Sequence, residues 1–253
     1  MDFKLQGLNA LITGGSKGIG RSIASLLAQE GANVGICARN SNDLDSTIKH
    51  LSNYGVKAIG KCIDVSNSDE LKGWITSSDT ELGGIDILVL NVSALAIPDT
   101  EESWVAEFEV DMMHTVRSVE AALPSLERSS SGSIVIISSV SGVEIDFAAG
   151  PYGAFKAALI HYAKALSTQL ASKGIRCNSV SPGNTYFDGG VWQNIEKENP
   201  DLFNHALSLN KTGRMATAEE VATAAVFLAS PISSFTSGTN LTVDGALTNR
   251  VQY

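Results

Sequence analysis

The sequence predicts an α/β protein with a doubly wound parallel sheet of about seven strands and helices on both faces. Three observations predict it. Short β-branched segments alternate with longer helical stretches along nearly the whole chain, the pattern of βαβ crossovers. Segments such as Ile87-Leu88-Val89-Leu90 are apolar without alternation, as strands covered on both faces are. The first strand also runs into a glycine-rich turn that opens a helix, the Rossmann-type arrangement.

The elements follow in order. Residues 8–13 read as a strand and 18–30 as a helix, then 33–38 and 42–54, then 56–65 and 69–82. The strand 86–91 precedes one long helix over 101–126, and the strand 133–138 precedes a helix over 151–173. A strand at 175–181, a helix at 218–228 and a strand at 240–243 complete the series. With no repeat, charge block or Pro/Gly/Ser linker between them, residues 1–253 form one domain. Residues 183–213 break the rhythm, with Tyr186, Phe187, Trp192 and Phe203 among polar residues and no clear strand. Because this stretch leaves the carboxyl end of a strand, where open α/β sheets bind ligands, it reads as a substrate lid. An inserted helix pair packed on the body or on a neighbouring subunit is the alternative.

Composition narrows the function. The 253 residues are 43% hydrophobic and 18% charged, a globular balance. Eighteen basic against 27 acidic residues give a net charge of −9, which disfavours nucleic acid as a partner. No apolar run is long enough to span a bilayer, and Met1-Asp2-Phe3-Lys4 does not begin a signal peptide. Three scattered cysteines, Cys37, Cys62 and Cys177, fit reduced thiols in the cytoplasm and give no metal site.

The turn Thr13-Gly14-Gly15-Ser16-Lys17-Gly18-Ile19-Gly20 presents backbone N–H groups and a positive helix end to an anion. Glycines at 14, 18 and 20 allow the tight turn and close approach to a pyrophosphate. A Walker loop would place lysine after the last glycine, where Arg21 stands, so an NTPase is disfavoured. The second strand ends Ala38-Arg39-Asn40, without the acid that accepts hydrogen bonds from an NAD ribose. Arg39 and Lys17 instead offer a cationic clamp for the 2′-phosphate of NADP(H), although Arg39 read alone is an ordinary surface charge.

Tyr152 and Lys156, spaced i, i+4 at the start of a helix, share one face. Ser139 stands at the carboxyl end of the fifth strand, at the same mouth. With these residues the chain resembles the short-chain dehydrogenase/reductase family, in its compact branch of 3-oxoacyl reductases and carbonyl reductases. The resemblance rests on TGGSKGIG at 13–20, IDV at 63–65, Asn91, ISS ending at Ser139, and YGAFK at 152–156. It continues through SPG at 181–183, GRMATAEEVATAAVFLAS at 213–230 and GTNLTVDGA at 238–246.

The resemblance implies hydride transfer between a nicotinamide and a carbonyl or secondary alcohol. Tyr152 is the implied acid or base, Lys156 its electrostatic partner and ribose ligand, and Ser139 the donor to the reacting oxygen. Asp64 and Val65 would face adenine, Asn91 the adenosine ribose, and Pro182, Gly183 and Thr185 the carboxamide end. The sequence also departs from the family. Asn91-Val92-Ser93-Ala94 keeps only the first residue of Asn-Asn-Ala-Gly, Phe187 replaces a threonine, and the final glycine pair is Gly245-Ala246. Asp111 stands where the family has asparagine, and a carboxylate there would raise the lysine's pKa and oppose a Tyr152 phenolate. Leu95, Val143, Ile145, Phe147, Tyr186, Phe187 and Trp192 are the candidate substrate pocket, for a small and largely hydrophobic molecule. A 3-oxoacyl thioester reductase, a non-catalytic NADP sensor and an isomerase or dehydratase are the alternative functions. The resemblance also implies a homotetramer built on the fourth and fifth helices.

Overall fold

A computed structural model describes residues 2–251. Seven parallel strands form one sheet: β1 Asn9–Thr13, β2 Asn33–Ala38, β3 Ala58–Cys62, β4 Ile87–Leu90, β5 Ser133–Ile137, β6 Arg176–Pro182 and, last in the chain, β9 Asn240–Val243. Their order is β3-β2-β1-β4-β5-β6-β9. The chain reverses its direction of travel between β1 and β4, and the crevice there opens at the strands' carboxyl ends.

Alternation along each strand divides the core into two layers. Ile12, Ile36, Val89 and Val135 face α1 Gly18–Gln29, α2 Ser41–Ser52 and α9 Ala218–Ala229. Their neighbours Leu11, Cys37, Leu88, Ile134 and Ile136 face α3 Ser68–Leu82, α5 His114–Leu126 and α6 Pro151–Leu170. Both faces are sealed, so strands with no polar alternation are what burial requires.

Three segments differ from the sequence expectation. The third strand is shorter than 56–65, because it is the sheet's edge and its outer end faces solvent. The expected helix over 101–126 is broken: α4 Glu101–Glu107 passes into a π-helical turn at Phe108–Met113 before α5 begins. Such turns insert an extra residue and re-aim side chains, often at functional sites. Finally, 183–213 holds two helices, α7 Val191–Glu198 and α8 Pro200–Leu209, and the two-residue strand β7 Thr185–Tyr186, paired in parallel with β8 Ala216–Thr217. Trp192, Ala206 and Met215 give this segment a small core of its own.

Among the described residues no helix is long and apolar enough to cross a membrane. The three cysteines are free thiols, Cys37 and Cys177 buried and Cys62 exposed.

Candidate active site

The β1–α1 turn is built for an anion. No side chain caps the first turn of α1 and no acidic residue occupies it, so its N–H groups remain available. Gly14 and Gly18 have φ of 66° and 50°, in the left-handed region. Asn91 Nδ2 donates to the carbonyls of Thr13 and Gly14, each at 3.2 Å, and so fixes the turn from β4. The turn therefore fits a dinucleotide pyrophosphate. The ring of Phe187 lies directly over Gly18, where a Cβ would come within 2.5 Å of it, so this side chain roofs the phosphate turn as well as the cavity beyond.

At the far end of the turn Lys17 Nζ lies 2.9 Å from Asp43 Oδ2, an ion pair between partly exposed side chains. Arg39 is exposed at the end of β2, and Asn40 beside it accepts from Asp43 N at 3.0 Å as the N-cap of α2. Asp64 is exposed and Val65 buried beyond β3. Hydrogen bonds from the Ser66 backbone and hydroxyl hold the Asp64 carboxyl below its usual range, with a smaller contribution from Arg39.

Tyr152 and Lys156 enter from α6, which Pro151 starts at its first position. Gly142 lets this helix touch the segment after β5, since a Cβ there would stand 2.6 Å from the Lys156 carbonyl carbon. Ser138 Oγ donates to Lys156 O at 2.8 Å and ties the helix to the strand. Lys156 is buried, its ammonium 5.4 Å from the Tyr152 ring centroid, 3.3 Å from Ile137 O and 2.8 Å from Asp111 Oδ2. Burial lowers the ammonium's pKa, but Asp111, Tyr152 and Glu107 outweigh it and the net shift is upward. Burial also raises the Tyr152 phenol; Lys156 and a hydrogen bond with Ser139 oppose that, while Asp111 and Glu107 add to it. Ser139 Oγ in turn donates to Ser141 Oγ at 3.3 Å, which donates to Asp146 Oδ2 at 2.7 Å.

These groups meet in a cavity of about 250 Å³ bordered by Lys17, Ile19, Asn91, Ser139, Tyr152, Lys156, Pro182, Gly183 and Thr185. Leu95, Phe147, Phe187 and Trp192 supply its apolar wall, with Phe147 and Trp192 edge to face at 5.8 Å. Val143, Ile145 and Tyr186 do not join it. The segment after Ser139 is a tight turn over Val140–Gly142 rather than an extended strand, so alternation gives no common face. Ile145 is 85% exposed and borders a neighbouring cavity, while Tyr186 packs on Phe203 and donates to Glu196 Oε2 at 2.5 Å.

Sequence reasoning missed two buried polar residues around this site, Glu107 and His114, which flank the Asp111 it had singled out. Glu107 accepts from Ala96 N at 2.7 Å, as Asp111 accepts from Ala94 N at 2.8 Å. Together they hold the loop after β4, in which Leu95 adopts a φ of 53°. His114 links strand to helix: Val110 O accepts at 2.7 Å from Nδ1, which must carry the proton, so Nε2 accepts from Thr13 Oγ1 at 3.0 Å. Glu107 and Asp111, one turn apart in an otherwise amphipathic stretch, were the available signal.

The sheet order, the glycine turn and the Ser-Tyr-Lys cluster together define an oxidoreductase built on a dinucleotide-binding type of fold. The chain belongs to the short-chain dehydrogenase/reductase family. The family described as Enoyl-(Acyl carrier protein) reductase matches residues 14–248. Isoepoxydon dehydrogenase patN of Penicillium expansum is 39% identical over 248 residues, 96% of this chain and 95% of that protein. The 3-oxoacyl-[acyl-carrier-protein] reductase FabG of Chlamydia muridarum is 35% identical, covering 94% of this chain and 96% of that protein. The structure of L-sorbose reductase from Gluconobacter frateurii, complexed with NADPH and L-sorbose, superposes with a TM-score of 0.90 at 28% identity, covering 99% of this chain and all of that one.

Proposed function

We propose that the protein is an NADP(H)-dependent reductase or dehydrogenase of a small, largely hydrophobic ketone or secondary alcohol. The observation that carries this reading is the convergence of Tyr152, Ser139 and Lys156 on one cavity that also borders the glycine turn. Bound in that cavity, the nicotinamide would supply or accept the hydride. Ser139, whose oxygen accepts from Ser141 N at 3.2 Å, turns its proton from Ser141 Oγ to the substrate oxygen and stabilises its developing charge. Tyr152 gives that oxygen a proton in reduction and takes it back in oxidation, helped by the positive charge of Lys156. Arg39 and Lys17 bind the 2′-phosphate, and the absence of an acid at the end of β2 supports NADP(H) over NAD(H).

The apolar wall of Leu95, Phe147, Phe187 and Trp192 supports a hydrophobic substrate over an acyl-carrier thioester, which would also have to dock on a protein of net charge −9. Retention of Tyr152 and Lys156 speaks against a non-catalytic sensor. Exposed Trp104, Val105 and Phe108 on α4 and the turn after it support self-association through that face, as in a homotetramer. The test is a panel of cyclic, aryl and alkyl ketones, L-sorbose and 3-oxoacyl thioesters, with NADPH oxidation followed optically and the alcohols run in reverse. Turnover of a hydrophobic ketone is expected. Turnover of thioesters alone would replace this reading with the acyl reductase. NADPH binding without turnover of any member would leave the sensor.

A further inference from the structure

Two carboxyl groups, not one, face the buried lysine. Glu107 and Asp111 are each 0% exposed, and Lys156 is 2% exposed. One oxygen of each carboxyl is engaged by a backbone N–H of the loop after β4. The other two, Glu107 Oε2 and Asp111 Oδ2, are buried with no hydrogen-bond donor directed at them. Lys156 Nζ lies 2.8 Å from Oδ2 as its ion-pair partner, and a carboxylate oxygen, with two lone pairs, has room for a second donor. The two carboxyl groups stand four residues apart in the chain and accept from N–H groups two residues apart on the same loop, so they are neighbours inside the protein. Two ionised carboxylates are acceptors only, so neither could satisfy the other's free oxygen. Nor can one ammonium neutralise two buried negative charges, and an uncompensated charge inside a protein is costly. A single proton between Oε2 and Oδ2 resolves both difficulties.

We propose that Glu107 is a positioning residue, a buried carboxylic acid that donates its proton to Asp111 so that the pair opposes Lys156 with one negative charge, and that this shared proton sets the pH range in which Tyr152 transfers its own. The inference rests on the reading of Tyr152 and Lys156 as the proton-transfer pair. The ionisable groups facing the cluster are Tyr152 and Lys156 from α6 and His114 from α5. Burial holds His114 neutral, with its pKa lowered to about 4, so it adds no charge in the working range. Burial, and then the charge of Asp111, push Glu107 up to about 8. Below that pH the cluster carries one carboxylate and one ammonium. Above it Glu107 releases its proton to solvent, and a second negative charge opposes the Tyr152 phenolate.

The shared proton changes what Asp111 substitutions do. In Asp111→Asn, Glu107 no longer faces a carboxylate and becomes the acid nearest Lys156, so it ionises. The negative charge moves instead of disappearing. Only Glu107→Gln with Asp111→Asn removes it.

The experiment is the pH profile of alcohol oxidation for the wild type, both single variants and the double variant, paired with isotope-edited infrared spectra of the carboxyl C=O stretch. Expected in the wild type is a protonated-carboxyl band at neutral pH that titrates away near pH 8. The band should be absent from Glu107→Gln and from Asp111→Asn. Kinetically, the double variant should show an apparent pKa for oxidation lower than Asp111→Asn by about one unit. Glu107→Gln should keep rising on the alkaline side where the wild type flattens. A double variant matching Asp111→Asn, with a wild type lacking the band at neutral pH, would overturn the proposal. If no substrate turns over, the functional reading fails while the infrared spectra still decide whether the proton is shared.

Discussion

Lys156 Nζ lies 2.8 Å from Asp111 Oδ2, inside a pocket that excludes water from both side chains. Removing one partner of such a pair leaves an unpaired buried charge, which is strongly destabilising. The α6 ammonium is therefore fixed in position by the π-turn of the preceding helical segment, and the phenol of Tyr152 is presented beside it.

Loss of the Tyr152 hydroxyl should remove proton transfer and little else. Tyr152→Phe is expected to lower kcat by about 10²-fold or more while NADPH affinity, read by fluorescence titration, stays within a few-fold of wild type. Lys156→Ala should lose affinity and turnover together. More than a few per cent residual turnover in Tyr152→Phe would assign the proton to another group.

Cofactor preference turns on charge at the end of β2 and on the glycine turn. The wild type should favour NADP(H) in kcat/KM, and Arg39→Asp should reverse the preference by removing a phosphate partner and adding a ribose acceptor. Asp43 holds Lys17 at 2.9 Å, so Asp43→Asn should free the lysine and tighten NADPH binding a few-fold at low salt. Equal use of both cofactors by the wild type would dispose of the clamp.

Stability should decline on the alkaline side because of Glu107. Its folded pKa, raised to about 8, lies above the ordinary 4.5 that applies to the unfolded chain. The unfolded state therefore binds fewer protons between those values, and this contribution, fully present below about 4.5, is lost as pH rises through 8. Thermal unfolding of Glu107→Gln, which does not ionise, should show a smaller drop in Tm from pH 5 to pH 9 than the wild type. Parallel Tm curves for the two proteins would contradict the assignment.

Arg176 closes the end of α9. Its guanidinium donates to the carbonyls of Leu228, Ala229 and Ser230 at 2.6, 3.1 and 3.1 Å and to Ser233 Oγ at 2.8 Å, satisfying helix-terminal acceptors with a positive charge. Arg176→Met should cost about 2–4 kcal/mol in denaturant unfolding, through buried carbonyls left unpaired. A loss below about 0.5 kcal/mol would mean that water replaces the side chain without cost.

The sequence by itself determined the sheet, its two covered faces, the glycine turn and the Ser139-Tyr152-Lys156 cluster. Those features are written in local terms: apolar runs bounded by turns, φ > 0 positions given to glycine, and an i, i+4 pair on one helix face. Tertiary structure alone decided the rest. Whether 101–126 runs unbroken depends on the π-turn at Phe108–Met113, where Asp111, and His114 directly after it, find partners on α6 and β1. Val143 and Ile145 fell outside the cavity because a turn, not a strand, follows Ser139. Glu107 looked like one more helix-surface acid. Its burial came from the packing of α4 against α6, and desolvation, which no local pattern records, turned an ordinary carboxylate into a candidate proton store.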